Sequence, residues 1–184
     1  MRILIGAALT ALLATSANAT PSYTETASAI GSLDGIAFTG ATVTLFAAPT
    51  GAITHPDATH YIVSVTGSFV IDGFGSGTFL DPLEVVDYPT ASVASINDAT
   101  LGKSIFGTTN SVFSTYDLSY PITASGGATY NIGQAFSTNV GSLIFTNVFQ
   151  PTFTATDIPE PLSLSIFGAG IAGMVAMRLR RKAT

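Results

Sequence analysis

Between residues 20 and 157, apolar and polar positions alternate with a period of two, and no stretch sustains the three-to-four-residue spacing of an amphipathic helix. The clearest alternation is Ser114 to Ile122, where Tyr116, Leu118, Tyr120 and Ile122 fall on one side and Thr115, Asp117 and Ser119 on the other. Pro121 would set this strand at an edge, because proline cannot donate to a ladder. Val43 and Leu45 alternate in the same way with Thr42 and Thr44. Tyr61, Val63 and Val65 open a run that resumes beyond Gly67 with Phe69 and Ile71. Leu143, Phe145, Phe149 and Phe153 supply late strands, with Pro151 marking an edge or a break. Turn-forming residues punctuate the runs at Gly31, Asp34-Gly35, Pro49 to Gly51, Asp72 to Gly77, Asp81-Pro82, Asn97-Asp98, Asn110 and Gly126-Gly127. Asn97 to Gly107 is the least strand-like stretch and is expected to be a loop with a short helix. Short strands at this spacing predict an all-β domain over residues 20–157, arranged as an antiparallel β-sandwich.

The two ends read differently, as apolar runs flanked by basic residues. Met1 and Arg2 precede a mostly apolar stretch from Ile3 to Leu13 and a small-residue ending, Ala17-Asn18-Ala19. These are the three parts of a secretory signal peptide over 1–19, with Ala17 and Ala19 setting cleavage after Ala19. At the other end, Ile158-Pro159-Glu160-Pro161 is followed by an uncharged stretch from Leu162 to Met177 and by Arg178-Leu179-Arg180-Arg181-Lys182. As a helix, residues 162–177 would reach roughly 24 Å, short of a hydrocarbon core of roughly 30 Å, so the span is marginal and suits temporary retention. The basic residues Arg178, Arg180, Arg181 and Lys182 should stay cytoplasmic, which puts everything before Pro159 outside the inner membrane. Pro161 restricts Glu160 to extended backbone, the form a protease cleft accepts.

This order of a Pro-Glu-Pro tripeptide, a Gly- and Ala-containing apolar segment and an Arg-rich end resembles the PEP-CTERM sorting signal of Gram-negative bacteria, over residues 158–184. The resemblance implies recognition by exosortase, a membrane-embedded transpeptidase-like protease, after export by the Sec machinery. It also implies a setting of exopolysaccharide production and biofilm or floc formation. The central region is similar to the Thr- and Phe-rich β domains that precede such signals, through Gly77-Thr78-Phe79-Leu80-Asp81-Pro82 and Thr115-Tyr116-Asp117-Leu118. The resemblance supplies no catalytic residue.

Charge and composition narrow the function classes. The stretch from Thr20 to Asp157 carries ten Asp and Glu against the single Lys103, a formal charge of −9 that excludes a nucleic-acid partner. Absence of cysteine excludes thiol catalysis, thiolate metal sites and disulfides. Gly73-Phe74-Gly75-Ser76-Gly77 matches neither a dinucleotide fingerprint nor a nucleophile elbow and reads as a hairpin. His55, Asp57 and His60 are metal-ligand types at a spacing that fits no named motif, and the same two histidines are the only conventional bases for a Ser-His-Asp triad. Asp72, Asp81, Glu84 and Asp87 form the densest acidic region, with calcium and a solvated turn as alternatives. Tyr61, Tyr88 and Tyr130 could stack on sugars or pack in the core. The expectation is a noncatalytic protein with no cofactor and no metal, processed by exosortase and placed on the cell surface or in the extracellular matrix, with exopolysaccharide as a partner. A secreted carbohydrate-binding module, built on an exposed aromatic patch or a calcium-bound loop, is the alternative. A hydrolase would need paired carboxylates in a cleft, such as Glu84 with an Asp.

Overall fold

A computed structural model describes residues 21–157. The signal peptide with Ala17 and Ala19, the Pro159-Glu160-Pro161 motif, the helix expected over 162–177 and the basic residues Arg178, Arg180, Arg181 and Lys182 lie outside the described residues. Among the described residues no helix is long and apolar enough to cross a membrane.

Twelve strands follow in order: β1 (Ser22–Leu33), β2 (Ile36–Pro49), β3 (Thr54–Asp57), β4 (His60–Ile71), β5 (Gly75–Thr78), β6 (Leu83–Tyr88), β7 (Val93–Asp98), β8 (Lys103–Thr109), β9 (Ile122–Ser125), β10 (Gly127–Tyr130), β11 (Ala135–Thr138) and β12 (Gly141–Thr156). All pair antiparallel in a single sheet ordered β10-β8-β7-β6-β4-β2-β1-β12-β11, with β3 and β5 on β4 and β9 on β12. The sheet nearly closes into a barrel, because the segment from Ile122 to Tyr130 changes partner midway: Ile122–Ser125 pairs with β12 and Gly127–Tyr130 pairs with β8. Gly126 sits at the changeover, where a Cβ would lie 1.9 Å from the Thr109 carbonyl oxygen, so only glycine lets the backbones approach. The all-β antiparallel class is as the alternation predicts, and the sandwich expectation fits loosely, since one continuous sheet curls around one core.

Strand formation follows the sequence where alternation continues uninterrupted. In β2, Ala41, Val43, Leu45 and Ala47 are buried while Thr42, Phe46 and Ala48 are exposed. In β4, Val63, Val65, Phe69 and Ile71 are buried, and at Gly67 the Leu83 side chain packs where a Cβ would stand, 2.3 Å from Leu83 Cδ1. The β1–β2 hairpin turns on Asp34 and Gly35, both at positive φ, as a tight two-residue turn requires. Inside, edge-on aromatic contacts fill the core: Phe106 of β8 with Phe145 of β12 at 5.6 Å, and Phe113, which lies between β8 and β9 in the chain, with Phe153 of β12 at 5.6 Å between ring centroids.

Four local expectations are corrected. Ser114 to Ile122 is no strand before Ile122: a 3-10 helix spans Ser111–Thr115 and irregular backbone follows. Polar side chains there satisfy the backbone locally, Asn110 Oδ1 accepting from the Val112 amide and Asp117 Oδ1 from the Ser119 amide, while Leu118 takes a positive φ. Its aromatic alternation instead makes a plug, with Phe113, Tyr116 and Leu118 buried. Asn97 to Gly107 is the end of β7, a turn and most of β8; Asp98 Oδ1 accepts from the Leu101 amide and Gly102 has positive φ, so a compact turn joins two strands. Gly31 lies inside β1, beside a register shift, where a Cβ would be 2.1 Å from the Ile144 carbonyl oxygen. Pro151 lies within β12 and marks a bulge rather than an edge or a break: Gln150 has positive φ and the β1–β12 register shifts beside it.

Candidate functional site

The outer face of β9, β12, β1, β2, β4 and β5 is built from the polar half of each alternating strand. Residues directly opposite in antiparallel pairs share a face, so the register aligns them in ranks across the sheet. One rank reads Ser125, Thr152, Thr26, Thr44, Val70, Ser76; the next reads Thr123, Thr154, Thr24, Phe46, Ser68, Thr78. Ten of these twelve positions carry a hydroxyl and none is charged, so the face recognises by neutral hydrogen bonding rather than by charge. With strands about 4.8 Å apart, each rank runs on the order of 24 Å, and the two ranks lie about 6.8 Å apart.

Several hydroxyls also tie neighbouring strands together: Ser125 with Thr152 at 2.7 Å, Thr26 with Thr44 at 3.4 Å, Thr123 with Thr154 at 3.4 Å and Ser22 with Thr156 at 3.0 Å. Each such bond leaves further donor or acceptor capacity on the pair. Phe46 stands 44% exposed in the second rank, beside a groove of about 300 Å³ lined by Thr24, Phe46, Ala48, Thr66, Ser68 and Thr78. An aromatic ring among neutral hydroxyls matches a ligand that has both C–H faces and hydroxyls.

The inner side of the sheet is different, since ionisable groups are buried there, from β1 as well as from the wall formed by β6, β7 and β8. Asp87 on β6 is fully buried, and neither carboxyl oxygen has a hydrogen-bond partner. Burial pushes its pKa up to about 8, with Asp117 adding to the rise. Glu25 on β1 is also fully buried and crosses the core to accept a 3.1 Å hydrogen bond from Thr108 on β8. Its burial holds the carboxyl well above the ordinary range, opposed in part by Thr108 and the Ile96 backbone. Tyr23 donates to the Leu118 carbonyl at 2.8 Å beneath the plug, and burial raises its hydroxyl above the usual tyrosine range.

The residues singled out from the sequence are dispersed. Asp57 and His60 pair at 2.9 Å, but His55 stacks on Tyr61 with centroids 4.3 Å apart. Among the described residues no group of three or more His, Asp or Glu side chains is placed to hold a metal ion. Asp72 lies in the turn after β4 and Asp81 before β6, while Glu84 and Asp87 sit three apart on β6 and so point to opposite faces. Glu84 is raised by burial and pulled back by His60 and Asn97, whose Oδ1 accepts from Ser95 at 2.8 Å; this network ties β6 to β7. Tyr88 lies 5.5 Å from His60, and Tyr130 donates to Asn147 at 2.8 Å on β12, so Tyr61, Tyr88 and Tyr130 do not form one platform. Gly75–Thr78 of the glycine-rich segment is β5, the edge of the hydroxyl face, as a hairpin reading requires.

Phe46 and the hydroxyl ranks went unmarked in the sequence. Their signal was there strand by strand, as Thr24-x-Thr26-x-Ser28, Thr66-x-Ser68 and Thr152-x-Thr154-x-Thr156, but alternating threonines are also ordinary strand composition. No family model, curated protein or solved structure matches the chain.

Proposed function

We propose that this is an exported, noncatalytic protein of the cell surface or extracellular matrix, processed by exosortase and associated with exopolysaccharide. The single observation that carries the reading of the domain is a pair of uncharged ranks on its outer face, in which ten hydroxyls surround the exposed Phe46. Such a face suits adhesion to a hydroxyl-rich matrix. The sorting part of the reading rests on Pro159-Glu160-Pro161, the apolar stretch 162–177 and the basic end, which resemble a PEP-CTERM signal, together with a signal peptide over 1–19. Residues 162–177 would hold the precursor in the inner membrane, and cleavage near the tripeptide would release the domain. The domain itself is taken as sandwich-like, a flattened barrel whose facing walls are bridged by Glu25 and Thr108.

Intact mass of the protein recovered from the surface or medium of its host, with and without exosortase, tests the sorting. The expected product lacks Met1 to Ala19 and ends near Pro159 only when exosortase is present. A product keeping residues 162–184 in both strains overturns the sorting and leaves a membrane-tethered domain.

A further inference from the structure

We infer that the face of β9, β12, β1, β2, β4 and β5 binds a neutral, extended polysaccharide chain, with Phe46 as the stacking platform and the threonine and serine ranks as its hydrogen-bonding track. The inference deepens the matrix reading above and rests on it for its biological setting, but its chemistry is independent of the sorting signal.

Four observations converge. The groove beside Phe46 is lined by side chains that are all uncharged, so an ionic ligand gains nothing there. The domain around it carries one Lys against ten acidic residues; Glu25, Asp87 and Asp98 are buried, and the other seven still repel uronate- or sulfate-bearing chains, which leaves neutral ones as the compatible class. Hydroxyls both donate and accept, as sugar hydroxyls do, so Thr24, Ser68, Thr78 and their neighbours can meet a sugar ring edge in either sense. Phe46 offers an apolar ring to the C–H face of the same sugar.

Length and shape select a polymer. Ranks on the order of 24 Å exceed a single sugar, while a sheet that nearly closes on itself bows them out of plane. A chain polymer can follow that curve, whereas a crystalline surface would need a flat lattice. Many weak neutral contacts along a track predict modest affinity, gained by repetition.

The test uses the full chain, kept soluble in a polyoxyethylene detergent that has no sugar headgroup. Its mobility is measured in native gels containing hydroxyethyl cellulose, dextran or alginate, and its retention on insoluble cellulose is measured by sedimentation. Retardation by a neutral polymer and none by alginate is expected, and Phe46→Ala should weaken it at least tenfold. A Thr24→Val/Ser68→Ala pair should weaken it severalfold with the circular dichroism spectrum unchanged. Ile132→Ser, which removes a residue 73% exposed on another part of the surface, should leave binding intact. No retardation by any neutral polymer overturns the inference, as does equal loss in Phe46→Ala and Ile132→Ser, which would indicate general apolar adhesion. A wild-type dimer that Phe46→Ala dissociates, without glycan binding, would reassign the face to pairing between copies. Failure here with correct processing in the host would leave the surface-protein reading standing, and the reverse result would leave the binding face standing.

Discussion

The hydroxyl face and the β6–β7–β8 wall belong to one sheet, yet they handle polar groups in opposite ways. In the two ranks across β9, β12, β1, β2, β4 and β5 the polar side chains point outward, carry no charge and form lateral bonds of 2.7 to 3.4 Å. On β6, β7 and β8 the structure buries Asp87, Ser95, Asn97, Asp98 and Thr108. Outward hydroxyls cost little to place because water satisfies them, whereas an inward carboxyl is tolerated only when it sheds its charge. The first region is therefore suited to recognition, and the second makes stability depend on pH.

The largest expected effect lies in the inward wall. In the folded protein Asp87 holds its proton until about pH 8, while in the unfolded chain it loses it near its ordinary value of 3.8. Between those limits the folded state binds more protons, so stability is fully present below about pH 4, declines as pH rises through the window and flattens above it. Glu25, also raised by burial, contributes in the same direction. From pH 5 to pH 8 the loss assigned to Asp87 is up to about 4 kcal/mol, at about 1.4 kcal/mol per unit. Urea midpoints at both values should show it, and Asp87→Asn should remove most of the slope. An equal slope in wild type and variant would mean that Asp87 is charged and paired.

A smaller effect is expected at the seam between the two regions. Gly126→Ala forces a Cβ against the Thr109 carbonyl, which should cost about 3 kcal/mol and loosen the β9–β10 crossing. Hydrogen exchange should then speed up at the β8 and β12 amides before those of β2. Uniform acceleration would show that the seam is no separate element.

The smallest effect is on the hydroxyl face itself. Thr26→Val with Thr44→Val removes one lateral bond at 3.4 Å from half-buried positions and keeps the β-branched shape, so thermal stability should change by less than about 0.5 kcal/mol. A loss of several kcal/mol would mean that the ranks hold the sheet together and would weaken the case that they are free for a ligand.

How much could be read beforehand differs along the chain for physical reasons. β4 and the part of β2 from Ala41 onward were legible because alternation there is uninterrupted and one face is buried, which ties pattern to geometry. The Ser114 to Ile122 segment misled because Tyr116 and Leu118 alternate as a strand would, while Asn110 and Asp117 capture the backbone amides in turns. β8 was missed because Asn97, Asp98 and Gly102 look like a loop, although they only turn a hairpin.

By itself the sequence determined the all-β class, the strongly acidic and cysteine-free middle, and the apolar ends with their basic flanks, since each of these is a property of local order or composition. The partnering of strands was decided only in the tertiary structure. Which threonines stand side by side depends on register, and register depends on the inner residues that must meet in the core, such as Leu45 opposite Phe69. The same closure that buries Phe153 and Phe145 also seals Asp87 and Glu25 away from water, and it leaves Phe46 among hydroxyls on the outside.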